Sequence, residues 1–233
     1  MLKQLTLNVA LREGSRFSSF YKNSENKDVI SILKNFSEPF QTSQQQIFLW
    51  GGAETGKSHL LQAVCYELAE QGMHASYLPL KVLSLYGLSV LTGLQNTNLI
   101  AIDDIDSILG DRAWEEGLFN LINQARISGQ RLLFSGSQNP RDLKCNLPDL
   151  ATRLVWGSCY QLPELSGEEK PMMLKLRAKQ RGFDLNDHVI DYIYKRYPRD
   201  LNSLLDMLDK LDKESLRQKA KVTIPFVKQV LSL

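Results

Sequence analysis

No stretch of this chain approaches the roughly 18 to 20 consecutive apolar residues that a membrane-spanning helix requires. Nor does it open on a charged-then-apolar leader with a small-residue cleavage site, so a cytoplasmic protein without a membrane partner is expected. Cysteine is scarce. Cys65, Cys145 and Cys159 are odd in number and share no metal-ligand spacing, which argues against a disulfide framework and points to reduced, mostly buried thiols. The three histidines, His59, His74 and His188, are scattered, and no catalytic or metal role attaches to them. Charge of one sign is also lacking. A net +2 excludes a strong polyanion binder across the whole chain. From Ser166 onward there are 14 basic against 10 acidic residues, a mild excess that a solvated helix surface explains as well as a nucleic-acid partner does.

What is present, within 233 residues of which 43% are apolar, is enough for a sizeable core and one or two domains. The segment Gly51-Gly52-Ala53-Glu54-Thr55-Gly56-Lys57-Ser58 matches the phosphate-binding pattern G-x-x-x-x-G-K-[ST] in full. Glycines let the backbone wrap a polyphosphate and turn its N–H groups inward. Lys57 is placed to reach the β- and γ-phosphates and Ser58 to ligate Mg²⁺, with the positive end of the following helix behind them. The apolar run Gln46 to Trp50 reads as a buried strand before the loop, and His59 to Leu68 has helical spacing after it. A chance match has odds on the order of one per cent, and the flanking strand and helix lower it further.

Residues 1–16 read as a tail with one apolar patch. Residues 17–165 read as an α/β domain and 166–233 as a small all-helical one. Helical spacing covers Lys27 to about Phe36, and Gln41 to Gln45 reads as a loop. Strands are expected at His74 to Leu80, Leu99 to Asp103, Arg131 to Ser135 and Cys159 to Leu162, with an amphipathic helix from Ala113 to Ser128. Alternating βα units imply a parallel sheet covered on both faces. After Pro163 the strand signals stop, and helices are expected over 167–181, 186–196, 200–217 and 224–231. There are no internal repeats.

Four further constellations carry candidate chemistry. The strand at Leu99 ends in Asp103-Asp104, at the carboxyl edge where ligands bind. Asp103 is placed to hold Mg²⁺ through water, and Asp104 to orient or activate an attacking water. A capping acidic turn is the bland reading, and the complete phosphate loop weighs against it. Arg153 follows a short helical segment and precedes the last strand, an edge from which a guanidinium can serve a neighbour's γ-phosphate. A surface salt bridge is the commoner role for such an arginine. Arg199, at the start of a helix in the second domain, is placed to reach back to the nucleotide or simply to be solvated. In the tail, Gln4, Leu5, Leu7 and Val9 form a Q-L-x-L-x-V pattern that either meets a partner or makes a short edge strand.

Together these elements resemble the AAA+ ATPases, and within them the family of the bacterial replication initiator DnaA. The resemblance rests on Leu49 through Ala63, on Ile102-Asp103-Asp104-Ile105, on Thr152 through Gly157 and on Pro198-Arg199-Asp200-Leu201, and it covers roughly residues 17 to 233. It implies an AAA+ P-loop parallel-sheet nucleotide-binding domain followed by a helical lid. It implies an adenine nucleotide, ADP or ATP, with Mg²⁺, held by Gly51 to Ser58 with His59 and Arg199. Arg153 would be a trans-acting arginine finger and Arg199 a second sensor.

The departures from the initiator are equally specific. The chain ends soon after Thr223 to Val227, with no helix-turn-helix domain, and its N-terminal patch resembles a sliding-clamp-binding peptide. That combination is similar to regulatory members of the family. These act with the DNA-loaded clamp, the β subunit of DNA polymerase III, to promote ATP hydrolysis on DnaA. The implied partners are therefore the clamp, DnaA, DNA indirectly through the clamp, and a second copy of the chain. Ser137 stands near where an acidic first sensor is expected, which implies weak hydrolysis of the chain's own nucleotide. A DNA-engaging loader or remodeller is the alternative, with a small-molecule phosphotransferase ranked last.

Overall fold

The computed structural model describes residues 14–38 and 44–231, so Gln4, Leu5, Leu7 and Val9 lie outside the described residues. The chain divides into two compact units, Met1–Pro163 and Glu164–Leu233.

The first unit contains a five-stranded parallel sheet in the order β2-β3-β4-β1-β5. Its strands are β1 (Gln46–Trp50), β2 (Ala75–Pro79), β3 (Leu99–Asp103), β4 (Arg131–Gly136) and β5 (Ser158–Gln161). The pleat explains how they bury both faces, because successive side chains point to opposite sides. Ile47 and Leu49 of β1, Leu99 and Ala101 of β3 and Leu133 of β4 enter one core. There they meet helix α1 (Lys27–Ser37) and helix α2 (Lys57–Glu70) through Leu33, Phe36, Leu61 and Leu68. Phe48, Ile100, Ile102, Leu132 and Phe134 enter the other core. That core is closed by helix α4 (Arg112–Ile127) and helix α5 (Pro148–Leu154), with Leu118, Ile122, Leu150 and Leu154 buried. This is the doubly covered parallel sheet expected from near-continuous apolar strands.

The helix starts have identifiable causes. Asp111 caps α4, its carboxylate accepting from the N–H groups of Ala113 (3.0 Å) and Trp114 (3.3 Å). Pro148 opens α5, where a missing N–H does no harm. One segment, past its first residue, carries no expectation from the sequence. Residues 80–91 fold into α3 (Leu80–Leu83) and two 3₁₀ turns, Ser84–Tyr86 and Leu88–Leu91, each too short to leave a periodic signal.

In the second unit, α6 (Glu169–Gln180), α7 (Asp187–Arg196), α8 (Leu201–Gln218) and α9 (Ile224–Leu231) follow one another. The apolar stripe of α8, Leu204, Leu208 and Leu211, is fully buried in this unit together with Leu174, Ile193 and Val227. Asn186 caps α7 and Asp200 caps α8, accepting from Val189 N (2.9 Å) and Ser203 N (2.8 Å).

Candidate functional site

In a parallel sheet all strand ends of one kind lie on one side. The loop after β1, the acidic end of β3 and the end of β4 therefore converge at one edge of the first unit. The loop Gly51–Ser58 turns through two left-handed residues, Glu54 (φ 62°) and Gly56 (φ 91°). At Gly56 a side chain is excluded twice over. The backbone sits where L-residues are strained, and a Cβ would stand 2.6 Å from the ring of Phe20. The first helical bond of α2 runs from Leu60 N to Gly56 O (3.0 Å). The N–H groups of Lys57, Ser58 and His59 therefore precede the helical ladder at its positive end. The Lys57 ammonium, nearly buried, donates to the carbonyls of Gly51 (2.8 Å) and Gly52 (2.6 Å), which fixes its charge on the loop itself.

Asp103 is 1% exposed at the end of β3, and two hydroxyls hold it. Tyr77 on β2 donates to one carboxylate oxygen (2.5 Å) and Ser135 on β4 to the other. Burial, then the adjacent Asp103 charge, raises the pKa of the Tyr77 phenol, so it stays a donor. Asp104 is half-exposed and left-handed (φ 56°), and its N–H donates to Ser135 Oγ (2.9 Å). Desolvation and the Asp103 charge raise its carboxyl above the usual range. Ser137 is engaged by Asp106, whose oxygens accept from its N–H (2.7 Å) and hydroxyl (3.0 Å). Sequence reading missed Tyr77, Ser135 and Asp106 as partners of these groups, because no spacing signals a contact across strands.

These residues fit a nucleotide with its metal. Among the described residues no three His, Cys, Asp or Glu side chains converge to hold an ion. Mg²⁺ keeps several waters and binds through one or two protein groups plus phosphate oxygens, a demand that a hydroxyl and a carboxylate can meet. Ser58 and Asp103 are the groups that would hold it.

His59 turns away from that task. Its Nε2 lies 2.9 Å from Arg16 O and 3.3 Å from Ser19 Oγ, and its ring lies 5.4 Å from Phe20, so the imidazole ties α2 to the chain before α1. Arg199 belongs to the second unit. There its Nε donates to Tyr194 O (3.1 Å), and its carbonyl accepts from Lys170 Nζ (3.3 Å).

Two comparisons bear on this arrangement. Residues 167–231 match a family model described as the lid domain of Hda. Domain III of DnaA from Thermotoga maritima superposes with a TM-score of 0.79 over 96% of this chain and 98% of its own, at 18% identity. This chain has the fold of DnaA domain III, and its residues 167–231 resemble the Hda lid domain. AMPPCP-bound DnaA from Aquifex aeolicus matches at a TM-score of 0.71 and 19% identity, covering 90% of this chain and 70% of its own. A RuvB variant from Thermotoga maritima matches at 0.64 and 19%, covering 95% and 72%.

The remaining candidate of the first unit, Arg153, lies at the opposite edge of the sheet. It sits in the last turn of α5, inside the helix rather than after it, and β5 starts at Ser158, one residue before the expected strand. The buried Gln46, at the start of β1, donates its amide to the carbonyls of Arg153 (2.8 Å) and Leu154 (3.2 Å). Gly157 passes so close that a Cβ would stand 2.2 Å from Gln46 O. Gln46 and the phosphate loop bracket the whole length of β1, roughly 13 Å at about 3.3 Å per residue. Arg153 is thus held a full strand length from its own loop. The guanidinium carbon lies 3.9 Å from the Trp156 ring centroid and 5.6 Å from that of Phe119. Its Nε is buried without a hydrogen-bond partner, and among the described residues it makes no ion pair.

Proposed function

We propose that this AAA+ chain is an Hda-like negative regulator of replication initiation. In this reading it holds an adenine nucleotide in its own loop, Gly51 to Ser58. It is tethered to the sliding clamp by Gln4, Leu5, Leu7 and Val9, and it presents Arg153 to the ATP of a DnaA molecule. The observation that carries the proposal is the placement of Arg153. It is anchored at the sheet edge away from its own phosphate loop, on an aromatic support and, among the described residues, without a carboxylate partner. The Hda-type lid at 167–231 supports the choice of DnaA as the molecule served.

Each group then has a distinct task. Lys57 and the amides of the loop neutralise and orient the resident phosphates. Ser58 and Asp103 would hold magnesium, which would supply further charge neutralisation at the phosphates. Asp103 is kept in place by Tyr77 and Ser135, and Asp104 faces the attacking water. Ser137, engaged by Asp106, offers the γ-phosphate a hydroxyl at best, and hydrolysis of the chain's own nucleotide is slow. Arg153 stabilises charge developing on the partner's γ-phosphate. Contact with DNA runs through the clamp, the site of action is the cytoplasm, and the same edge-to-loop geometry allows a second copy to stand in for the partner.

The test is stimulated hydrolysis of ATP preloaded on DnaA, in the presence of DNA-loaded clamp. Arg153→Ala is expected to bind clamp and nucleotide normally yet to lose stimulation by at least about 10²-fold, given that fingers contribute roughly 10³ to 10⁵ where they operate. Gln4→Ala is expected to lose the clamp while keeping nucleotide. Full stimulation by Arg153→Ala would falsify the finger, and undiminished clamp capture by Gln4→Ala would remove the tether.

A further inference from the structure

Arg153 is not alone on its aromatic support. The guanidinium carbon of Arg126, near the end of α4, lies 3.2 Å from the same Trp156 centroid, against 3.9 Å for Arg153. Neither carbon lies in the plane of the ring, because ring atoms plus a contact distance of about 3.5 Å would place it farther out. Nor do both lie over one face, where two carbons at contact height above the same ring would collide. The indole is therefore sandwiched, one guanidinium on each face. The two distances to the shared ring cap the separation of the guanidinium carbons at about 7 Å.

Two like charges this close repel; desolvation first, and then the Arg153 charge, lower the pKa of Arg126. Among the described residues no carboxylate pairs with either arginine. The π faces of one indole hold them in place instead. The frame beneath is rigid, through the Gln46 bonds to the end of α5 and the close passage of Gly157. Beside the sandwich opens a cavity of about 400 Å³ lined by Arg126, Trp156, Ser158 and the glutamines at 44–46, with no acidic residue in its wall. Trp156 and Arg126 are exposed and Arg153 is half-buried, so solvent reaches the stack from the Arg126 side.

We propose that Arg126 is a second cation of the trans-acting face and that Trp156 is the positioning residue for both arginines. The ligand is a polyphosphate held in another subunit. Arg153 meets its terminal phosphate and Arg126 an inner phosphate oxygen, a pair of charges that a triphosphate presents within the span the sandwich allows. The inference rests on the trans-acting reading of Arg153. It assigns Arg126 to capture rather than to the reacting atoms.

Stimulated hydrolysis on ATP-loaded DnaA, followed against the concentration of the chain, separates the roles. Arg126→Ala is expected to raise the half-maximal concentration about tenfold, keep the maximal rate within about twofold, and flatten the salt dependence. Arg126→Lys recovers part of the loss. Trp156→Leu lowers the maximal rate as Arg153 loses its support, and Trp156→Phe restores it. If Arg126→Ala and Trp156→Leu match the wild type while Arg153→Ala is inactive, the second cation is wrong and the regulator reading stands. If Arg153→Ala is fully active, the regulator reading fails first. Independently of activity, the emission of wild-type chain minus that of Trp156→Phe is expected to change on adding ATP-loaded but not ADP-loaded initiator. An unchanged difference spectrum overturns the proposal even where a variant folds poorly.

Discussion

Asp103 and Asp104 are neighbours of one residue type with opposite surroundings. Asp103 is sealed between β2 and β4 and receives two hydroxyl protons, whereas Asp104 is half-exposed and faces the charge of Asp103. The raised pKa of Asp104 carries a stability consequence with a definite sign. The folded state holds the proton more tightly than the unfolded chain. Its contribution to stability is therefore full below the unfolded pKa of about 3.9 and is lost as pH rises through the folded value. At about pH 7 the ionised Asp104 opposes folding. Asp104→Asn removes that charge, and asparagine tolerates the left-handed backbone at this position. Its melting temperature is expected to exceed the wild type at about pH 7, with the difference shrinking as pH falls toward about 4. A calorimetric series showing a pH-independent difference would contradict the electrostatic origin. The positions of Asp103, Asp104 and Lys57 were legible in the sequence because they follow from spacing along one strand or loop. Tyr77, Ser135 and Arg126 were not, because their partners are brought to them by strand order and helix packing, which spacing does not encode.

At the level of elements, most boundaries were readable from apolar periodicity and capping residues. The signal failed where an element is shorter than its own period, as in the turns from Leu80 to Leu91. Inside α4 the first-turn acid Glu115, to which sequence reading assigned no role, is fully buried. Its carboxylate accepts from the N–H groups of Gly110 (2.8 Å), Asn146 (3.0 Å) and Leu147 (2.6 Å), while Asn146 donates its amide to Gly110 O (2.8 Å). One buried acid thus joins the turn before α4 to the turn before α5, and so sets where the helix bearing Arg153 begins. Hydrogen bonds to a charged group contribute roughly 1.5–3 kcal/mol each, and buried N–H groups left without acceptors add a desolvation penalty. Glu115→Ala is expected to lower unfolding free energy by about 2–4 kcal/mol in denaturant titrations. Glu115→Gln keeps one acceptor oxygen and turns an NH₂ toward a donor, which places it between the two. A loss below about 0.5 kcal/mol in Glu115→Ala would mean that water takes over all three donors.

For the whole molecule the decisive fact is polarity of the sheet. Every strand runs the same way, so one edge collects the ends that carry Lys57, Asp103 and Asp104, and the other collects the starts that carry Gln46 and the Arg126–Trp156–Arg153 stack. On the proposed reading, this unit keeps a nucleotide at one edge and serves another molecule's nucleotide at the other, with the sheet core between the two. That separation predicts independent responses to ligand. Ligand at about 100 times its dissociation constant adds roughly 2.7 kcal/mol to the folded state. In a domain of this size that raises the melting temperature by about 5–10 °C. ADP or ATP with Mg²⁺ is expected to produce that shift in the wild type and undiminished in Arg153→Ala and Arg126→Ala. Lys57→Ala is expected to lose most of it, since Lys57 is the cation fixed on the loop. A shift that disappears in Arg153→Ala would place that guanidinium on the chain's own nucleotide and join the two edges into one site. A shift that persists undiminished in Lys57→Ala would move nucleotide binding away from the loop altogether.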